Sequence, residues 1–98
     1  MENKKKKDKI KQLVKRITKE QNPSGRKNTW HYVAVKHAGF FKVHEIHFND
    51  KGKLIGVSKD PVELVGYDNK MSLLGVLGMA TGDIAKYPHI TKKELELL

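Results

Sequence analysis

The stretch from Thr29 to Pro61 constrains the fold of this 98-residue chain more than any other part of it. It contains three runs rich in β-branched and aromatic residues, separated by Ala38-Gly39 and by Asn49-Asp50-Lys51-Gly52. Runs of this kind between turn residues are typical of β-strands, and Gly52 supplies the positive φ that a tight turn favours. The stretch therefore predicts a three-stranded antiparallel meander.

An amphipathic helix is predicted before the meander. Ile10, Leu13, Val14 and Ile17 repeat at helical spacing, while lysines occupy the other faces. The cluster from Asn22 to Gly25 then ends the helix. Because such a helix is marginal by itself in water, its apolar stripe must pack on another surface. The candidates are the domain's own long helix, a partner protein and a membrane surface.

Two further helices are predicted after the meander. Asp68 or Asn69 caps a long helix that runs to about Lys86, and Thr91 with Glu94 forms a capping-box pattern for a short C-terminal helix. The predicted fold class is thus α+β: an N-terminal basic helix, a three-stranded antiparallel meander, one long helix packed on the sheet and a short C-terminal helix.

The long helix carries apolar residues around most of its circumference. Its predicted packing face consists of Met71, Leu73, Leu74, Leu77, Ala80 and Ile84. Its other side, a candidate interface, consists of Gly75, Val76, Gly78, Met79 and Gly82. Since each helical glycine costs about 1 kcal/mol relative to alanine, we expect a close neighbour on that side. Either the N-terminal helix or a second copy of the chain fits this requirement, and we expect a homo-oligomer.

Positive charge is concentrated at the N-terminus. Residues 1–28 contain 11 Lys/Arg and 3 Asp/Glu, whereas residues 29–98 contain 9 and 8. This division predicts a basic arm over residues 1–28 and a single small α+β domain over residues 29–98. A basic arm on a nearly neutral domain favours an anionic partner, DNA or RNA. The alternative is that these lysines only keep a small protein in solution.

The predicted nucleic-acid-binding residues are the basic residues of this arm. They are Lys4, Lys5, Lys6, Lys7, Lys9, Lys11, Lys15, Arg16, Lys19, Arg26 and Lys27. Aromatic residues of the meander provide either a surface for stacking bases or the hydrophobic core, and the core is the more frequent use. Those aromatic residues are Trp30, Tyr32, Phe40, Phe41 and Phe48.

Catalysis and metal binding have little support in the sequence. The chain has no cysteine, and its serines lie in no nucleophile-elbow motif. His44 and His47 are three residues apart on a predicted strand, unlike the helical i, i+4 pair of zinc proteases. A register that pairs His37 with Phe40 places His31, His37 and His44 on one face. We expect no enzyme activity, no cofactor and no metal, with the histidines at the surface or hydrogen-bonded.

No targeting or membrane-spanning pattern is present. The apolar runs fall far short of the roughly 20 residues that a spanning helix needs, and the charged N-terminus lacks the apolar segment of a secretory signal. These features predict a cytoplasmic protein that does not bind membranes.

Three resemblances concern the arrangement of motifs. Residues 30–88 resemble a set of short bacterial and phage proteins, without an established activity, that share a Trp-x-Tyr … His-Glu-Val-Tyr … Asp-Pro-Val pattern. Here that pattern reads Trp30-His31-Tyr32, His44-Glu45-Ile46-His47 and Asp60-Pro61-Val62. The strand–strand–strand–helix layout is remotely similar to HicB-type antitoxin domains. The helix–strand–strand–strand–helix order is also that of double-stranded RNA-binding domains, but Asn69-Lys70-Met71-Ser72-Leu73 replaces that family's Lys-Lys-x-Ala-Lys stretch.

Two functional hypotheses follow. The first is a small, non-catalytic, nucleic-acid-associated protein whose Lys-rich N-terminal helix supplies the affinity. The alternative is a protein-binding regulator or inhibitor, of the phage or mobile-element type, that uses the Gly-rich helix as its interface.

Overall fold

Three helices and four strands alternate in the computed structural model, which describes residues 2–64 and 67–98, and among these the side chains from Lys5 onward. In chain order they are α1 (Glu2–Gln21), β1 (Trp30–His37), β2 (Phe40–Phe48), β3 (Leu54–Val57), α2 (Lys70–Lys86), β4 (Ile90–Thr91) and α3 (Lys92–Leu97). The predicted α+β class is confirmed. Helix α1 starts well before the Ile10 stripe because lysine is a good helix former.

The sheet has the strand order β3-β2-β1-β4. Strands β1 and β2 are antiparallel in the predicted register, with His37 opposite Phe40, and β3 is antiparallel to β2. The fourth strand, β4, runs parallel to β1 and pairs Ile90 with Val35. The prediction of three antiparallel strands was therefore incomplete, since the sheet is mixed. A strand of two residues has no periodicity that a sequence pattern could reveal.

The core lies on one face of this sheet, between the strands and α1. Ile17 of α1 is 1% exposed and belongs to the same buried cluster as the inward residues of β1 and β2. That cluster is completed by Val33, Val35, Ile46, Phe48, Val57, Ile90 and Leu95, with Leu13, Leu54 and Leu98 packed against it. Helix α1 is thus part of the packed core as well as the carrier of most of the charge.

Helix α2 packs against β1 on the other face of the sheet. Ala80 is its buried residue, and the carboxylate of Asp83 accepts a hydrogen bond from the Tyr32 backbone N–H at 3.0 Å. That N–H lies beyond the short β4, which pairs only with Val35 and Lys36. Asp83 therefore pairs with a backbone N–H at the edge of β1. The same hydrogen bond fixes the rotation of α2 about its own axis.

This rotation corrects the predicted packing face of α2. Leu73 and Ile84 are half-buried, but Met71, Leu74 and Leu77 are 73%, 59% and 42% exposed. Because the helix contacts the sheet along a line centred on Ala80, those three side chains project past the contact.

The C-terminal helix begins as the sequence predicts. The Thr91 side chain accepts a hydrogen bond from the Glu94 backbone N–H, and the Glu94 carboxylate accepts one from the Thr91 N–H, each at 3.1 Å. Leu95 is buried in the core, which anchors the two turns of α3 to the sheet.

Candidate nucleic-acid interface

A groove of about 660 Å³ runs between α1 and the turn that joins β2 to β3. Half-buried Ile10 and Val14, together with Pro23, supply apolar lining. Five exposed lysines from two separate parts of the chain also line it: Lys11, Lys15, Lys19, Lys51 and Lys53. We call this feature the lysine groove. No acidic residue is among its lining residues, so all the charged side chains that line it are cationic.

The helical side of the groove continues as a straight row of lysines. Lys7, Lys11, Lys15 and Lys19 are spaced four residues apart, so they lie on one side of α1, about 6 Å apart along its axis. Like charges at this spacing destabilise a helix by about 0.2–0.5 kcal/mol per pair. The chain therefore tolerates an electrostatic cost to keep these four cations adjacent.

Buried polar contacts hold the two sides of the groove together. Asn22, which ends α1, is 7% exposed, and its side-chain amide donates hydrogen bonds to the carbonyl oxygens of Arg26 and Gly52 at 2.9 and 3.0 Å. A backbone bond from the Asn28 N–H to the Asn49 carbonyl adds a second link, at 2.8 Å. The loop after α1 and the β2–β3 turn thus form one unit, which fixes Lys51 and Lys53 relative to the helix.

Gly52 allows this loop and turn to approach each other closely. Its φ is +75°, and a Cβ at this position would lie 2.6 Å from the Gly25 carbonyl oxygen. The side chain of Asn49 closes the same turn by accepting hydrogen bonds from the N–H groups of Lys51 and Lys53 at 2.9 and 3.0 Å. The positions of both lysine backbones are therefore determined by local structure.

The predicted basic residues are not all equivalent in the structure. Lys5, Lys6, Lys7 and Lys9 are exposed along the first half of α1, and Arg26 and Lys27 are exposed on the loop that follows it. The side chain of Lys4 lies outside the described residues. Lys51 and Lys53 were missed by the sequence reasoning, although the strong turn that carries them was predicted.

Arg16 has a structural role that the sequence reasoning did not foresee. Its guanidinium forms an ion pair with Glu94 of α3, and it lies 3.8 Å from the carboxylate of Glu20. Since its charge is balanced by two carboxylates, Arg16 contributes less to the cationic surface than the neighbouring lysines of α1.

Among the exposed aromatic residues of the meander, Trp30 lies near the lysine groove, whereas Phe40 and Phe41 do not. Trp30 is 42% exposed and lines a small cleft together with Asn22, which also lines the groove. Phe48 and Tyr32 are buried, whereas Phe40 and Phe41 are 51% and 57% exposed at the start of β2. The groove is at the other end of that nine-residue strand, about 30 Å away. The residues that line the groove itself include no aromatic side chain, so the groove presents cations and aliphatic side chains to a ligand.

The histidines form hydrogen bonds, as we expected for at least some of them. In β2, the fully buried His44 donates from Nδ1 to the Ser58 carbonyl at 2.7 Å, and its Nε2 lies 3.3 Å from Nε2 of His37. His31 is 7% exposed and stacks on Tyr87 with ring centroids 3.7 Å apart. Within residues 2–64 and 67–98, no three His, Cys, Asp or Glu side chains gather as metal ligands.

The predicted interface on α2 divides into an outer and an inner part. Gly75, Gly78, Met79 and Gly82 are exposed, whereas Val76 is half-buried. The last turn of α1 comes close to one edge of this side, since Gln21 lines a small cleft together with Met79 and Asp83. The remaining residues of this side form an open surface.

Comparisons with protein-family models, curated proteins and solved structures find no match to this chain. Among the helices of the described residues, none has the length and apolar character to cross a membrane. The interpretation of the lysine groove therefore depends on its own geometry and charge.

Proposed function

We propose that the protein binds nucleic acid through the lysine groove and the adjoining row of lysines on α1, by contacting phosphates without reading bases. The observation that supports this proposal most directly is the convergence of Lys51 and Lys53 with Lys11, Lys15 and Lys19. A buried hydrogen-bond network holds these two segments together, which distinguishes the arrangement from a solvated tail of lysines.

The dimensions of α1 suit a polyanion. Its 20 residues are about 30 Å long, which corresponds to roughly nine base pairs of duplex at 3.4 Å each. Neutralising five phosphates would give a slope of log K against log salt of about −4.5 for a duplex, since each contact contributes about −0.9. Because no aromatic side chain lines the groove and lysines contact phosphates rather than base edges, we expect similar affinity for duplexes of different sequence.

The decisive measurement is the affinity for a labelled duplex at several salt concentrations, determined by fluorescence anisotropy. The double variant Lys51→Gln/Lys53→Gln is expected to weaken binding and to reduce the salt slope by about 2. The matched control is Lys92→Gln/Lys93→Gln, which removes the same charge from exposed positions at the start of α3. Substitutions are preferable to deleting residues 1–20, because that deletion would remove Ile17 from the core.

Two outcomes would refute the proposal. One is an absence of salt-sensitive binding in the wild-type protein. The other is an equal loss of binding in the variant and in the control, which would show that only total charge matters and that the lysine groove has no particular role.

The alternative proposal, a protein-binding regulator or inhibitor, is supported by the open side of α2. Met71, Leu74 and Met79 are all more than half exposed there, which is unusual for large apolar side chains clustered on one helix. In that case, lysine substitutions would leave partner binding intact and Gly78→Leu would abolish it.

A further inference from the structure

We infer that a small cleft beside the lysine groove binds one unpaired guanine base of a nucleic acid whose duplex part lies in the groove. This inference rests on the proposed function and adds a place where a base is recognised. The cleft has a volume of about 180 Å³ and lies between the end of α1, the start of β1 and the last turns of α2. We call it the Trp30 cleft. Because pockets that enclose a whole ligand measure roughly 300–1,000 Å³, this cleft suits one part of a larger molecule.

The Trp30 cleft adjoins the lysine groove at the end of α1. Asn22 lines both of them. Its side-chain amide donates to the carbonyl oxygen of Arg26, which lines the cleft, and to that of Gly52, which lines the groove, at 2.9 and 3.0 Å. A strand that leaves the groove at this end therefore meets the cleft next.

Trp30 supplies an aromatic surface to the cleft. Its ring packs against Tyr32 and His47, with ring centroids 5.2 and 5.9 Å apart, and the side chain is nevertheless 42% exposed. These contacts hold the indole in place while part of it stays open to solvent. Stacking on an aromatic side chain is a general way of binding an unpaired base.

Two other side chains offer hydrogen-bond acceptors. Asp83 is half-buried, and among the described residues only the Tyr32 N–H donates to it, at Oδ2. Gln21 is 1% exposed and donates from Nε2 to the Pro88 carbonyl at 2.7 Å, but its Oε1 has no partner within the described part of the chain. A buried acceptor without a donor is costly. The cleft therefore favours a ligand whose edge carries N–H donors.

Two cations at the cleft favour a ligand that is also an anion. Arg26 and Lys86 line it and are exposed, and within residues 2–64 and 67–98 neither forms an ion pair with a carboxylate. An arginine side chain of a partner protein could donate to Asp83, but both cations would repel it. A nucleotide combines an aromatic ring, N–H donors and a phosphate that these two cations can contact.

Guanine matches the acceptors better than the other bases. Its Watson–Crick edge has two adjacent N–H donors, which suit a carboxylate, beside an oxygen that a cationic side chain can contact. Adenine, cytosine and thymine each carry a single donor group on that edge next to at least one acceptor, which a carboxylate disfavours. We therefore expect Asp83 to select the base.

Trp30 also makes the inference testable, because it is the only tryptophan of the chain and its fluorescence reports on stacking. Labelled DNA duplexes that end in one unpaired dG, dA, dC or dT are compared with a blunt-ended duplex of the same paired sequence. For the wild type, we expect the unpaired dG to quench Trp30 emission and to raise the affinity about tenfold over the blunt-ended duplex. The other bases should give smaller gains.

Three variants separate stacking from base selection. Trp30→Ala should lose the gain from the unpaired base and keep its affinity for the blunt-ended duplex. Phe41→Ala, which removes an exposed aromatic side chain outside the cleft, is the matched control and should keep the gain. Asp83→Asn keeps an oxygen for the Tyr32 N–H but replaces the other oxygen by an N–H donor. It should therefore lose the preference for dG while Trp30 still responds to unpaired bases.

The results that would overturn the inference differ from those that test the proposed function. Equal affinity for blunt-ended and dG duplexes, absence of quenching, or a dG preference retained by Asp83→Asn would each overturn it while salt-sensitive duplex binding persists. Equal quenching by free guanosine monophosphate at the same concentration would overturn it too, since the cleft would then bind free nucleotides. An absence of salt-sensitive duplex binding in the wild type would refute both proposals.

Discussion

Gly52 is the residue on which the geometry of the lysine groove depends most directly. Replacement by alanine forces a β-carbon into a backbone with φ +75° and to within 2.6 Å of the Gly25 carbonyl oxygen. We expect Gly52→Ala to lower the free energy of unfolding by about 2–4 kcal/mol, from left-handed strain together with displacement of the loop. Gly39→Ala is the matched control, since its φ is +82° but no atom lies near its Cβ. Urea unfolding should show a smaller loss for Gly39→Ala, and equal losses would contradict the role of the Gly25 contact.

His37 should make the stability of the protein depend on pH. Partial burial lowers the pKa of His37 below its usual value, with smaller contributions from Lys42, His44 and Lys92. The unfolded chain therefore takes up the proton first as the pH falls below about 6.5, and the folded state loses stability relative to it. The contribution of His37 to stability should therefore be fully present above the unfolded pKa of about 6.5 and should decline as the pH falls below it.

The variant His37→Gln isolates this effect. Its side-chain amide can still donate to Nε2 of His44, but it does not titrate. Chemical unfolding at pH 8 and at pH 5.5 should show a smaller difference for the variant than for the wild type. An unchanged difference would assign the pH dependence to other groups.

At the residue scale, sequence reasoning succeeded where the signal was local. It identified Gly52 from the turn that contains it, and it paired His37 with Phe40 from the two residues between them. It missed Lys51 and Lys53 as part of the groove, because their proximity to α1 arises from hydrogen bonds of Asn22 across 30 residues of chain. Spacing along the sequence contains no information about such a contact.

The start of α3 is a single element whose stability can be tested by one substitution. Thr91 accepts a hydrogen bond from the backbone N–H of Glu94, and loss of such an N-cap costs about 0.5–2 kcal/mol. We expect Thr91→Ala to destabilise the protein by this amount in thermal unfolding. Thr91→Ser preserves the hydroxyl and should restore most of the loss, whereas failure of this rescue would show that packing of the threonine methyl group dominates.

The predictions were incomplete for those elements that depend on contacts with distant parts of the chain. The capping box was predictable because its four residues are contiguous. Strand β4 has only two residues, and it is defined as a strand by its pairing with β1, where Ile90 lies opposite Val35. In α2, periodicity predicted that Leu74 and Leu77 face the sheet. Instead, the hydrogen bond from the Tyr32 N–H to Asp83 holds the helix in a different rotation. The pattern of apolar residues along a helix cannot predict a polar contact of this kind.

At the scale of the whole molecule, the segment that carries most of the charge is part of the folded body. The sequence indicated that charge is concentrated before residue 29, and the structure adds that this charged segment is held in place by Ile17 in the core. Asn22 also bonds the end of that segment to the β2–β3 turn, so the cations of α1 and those of the turn form one cationic surface on the folded chain.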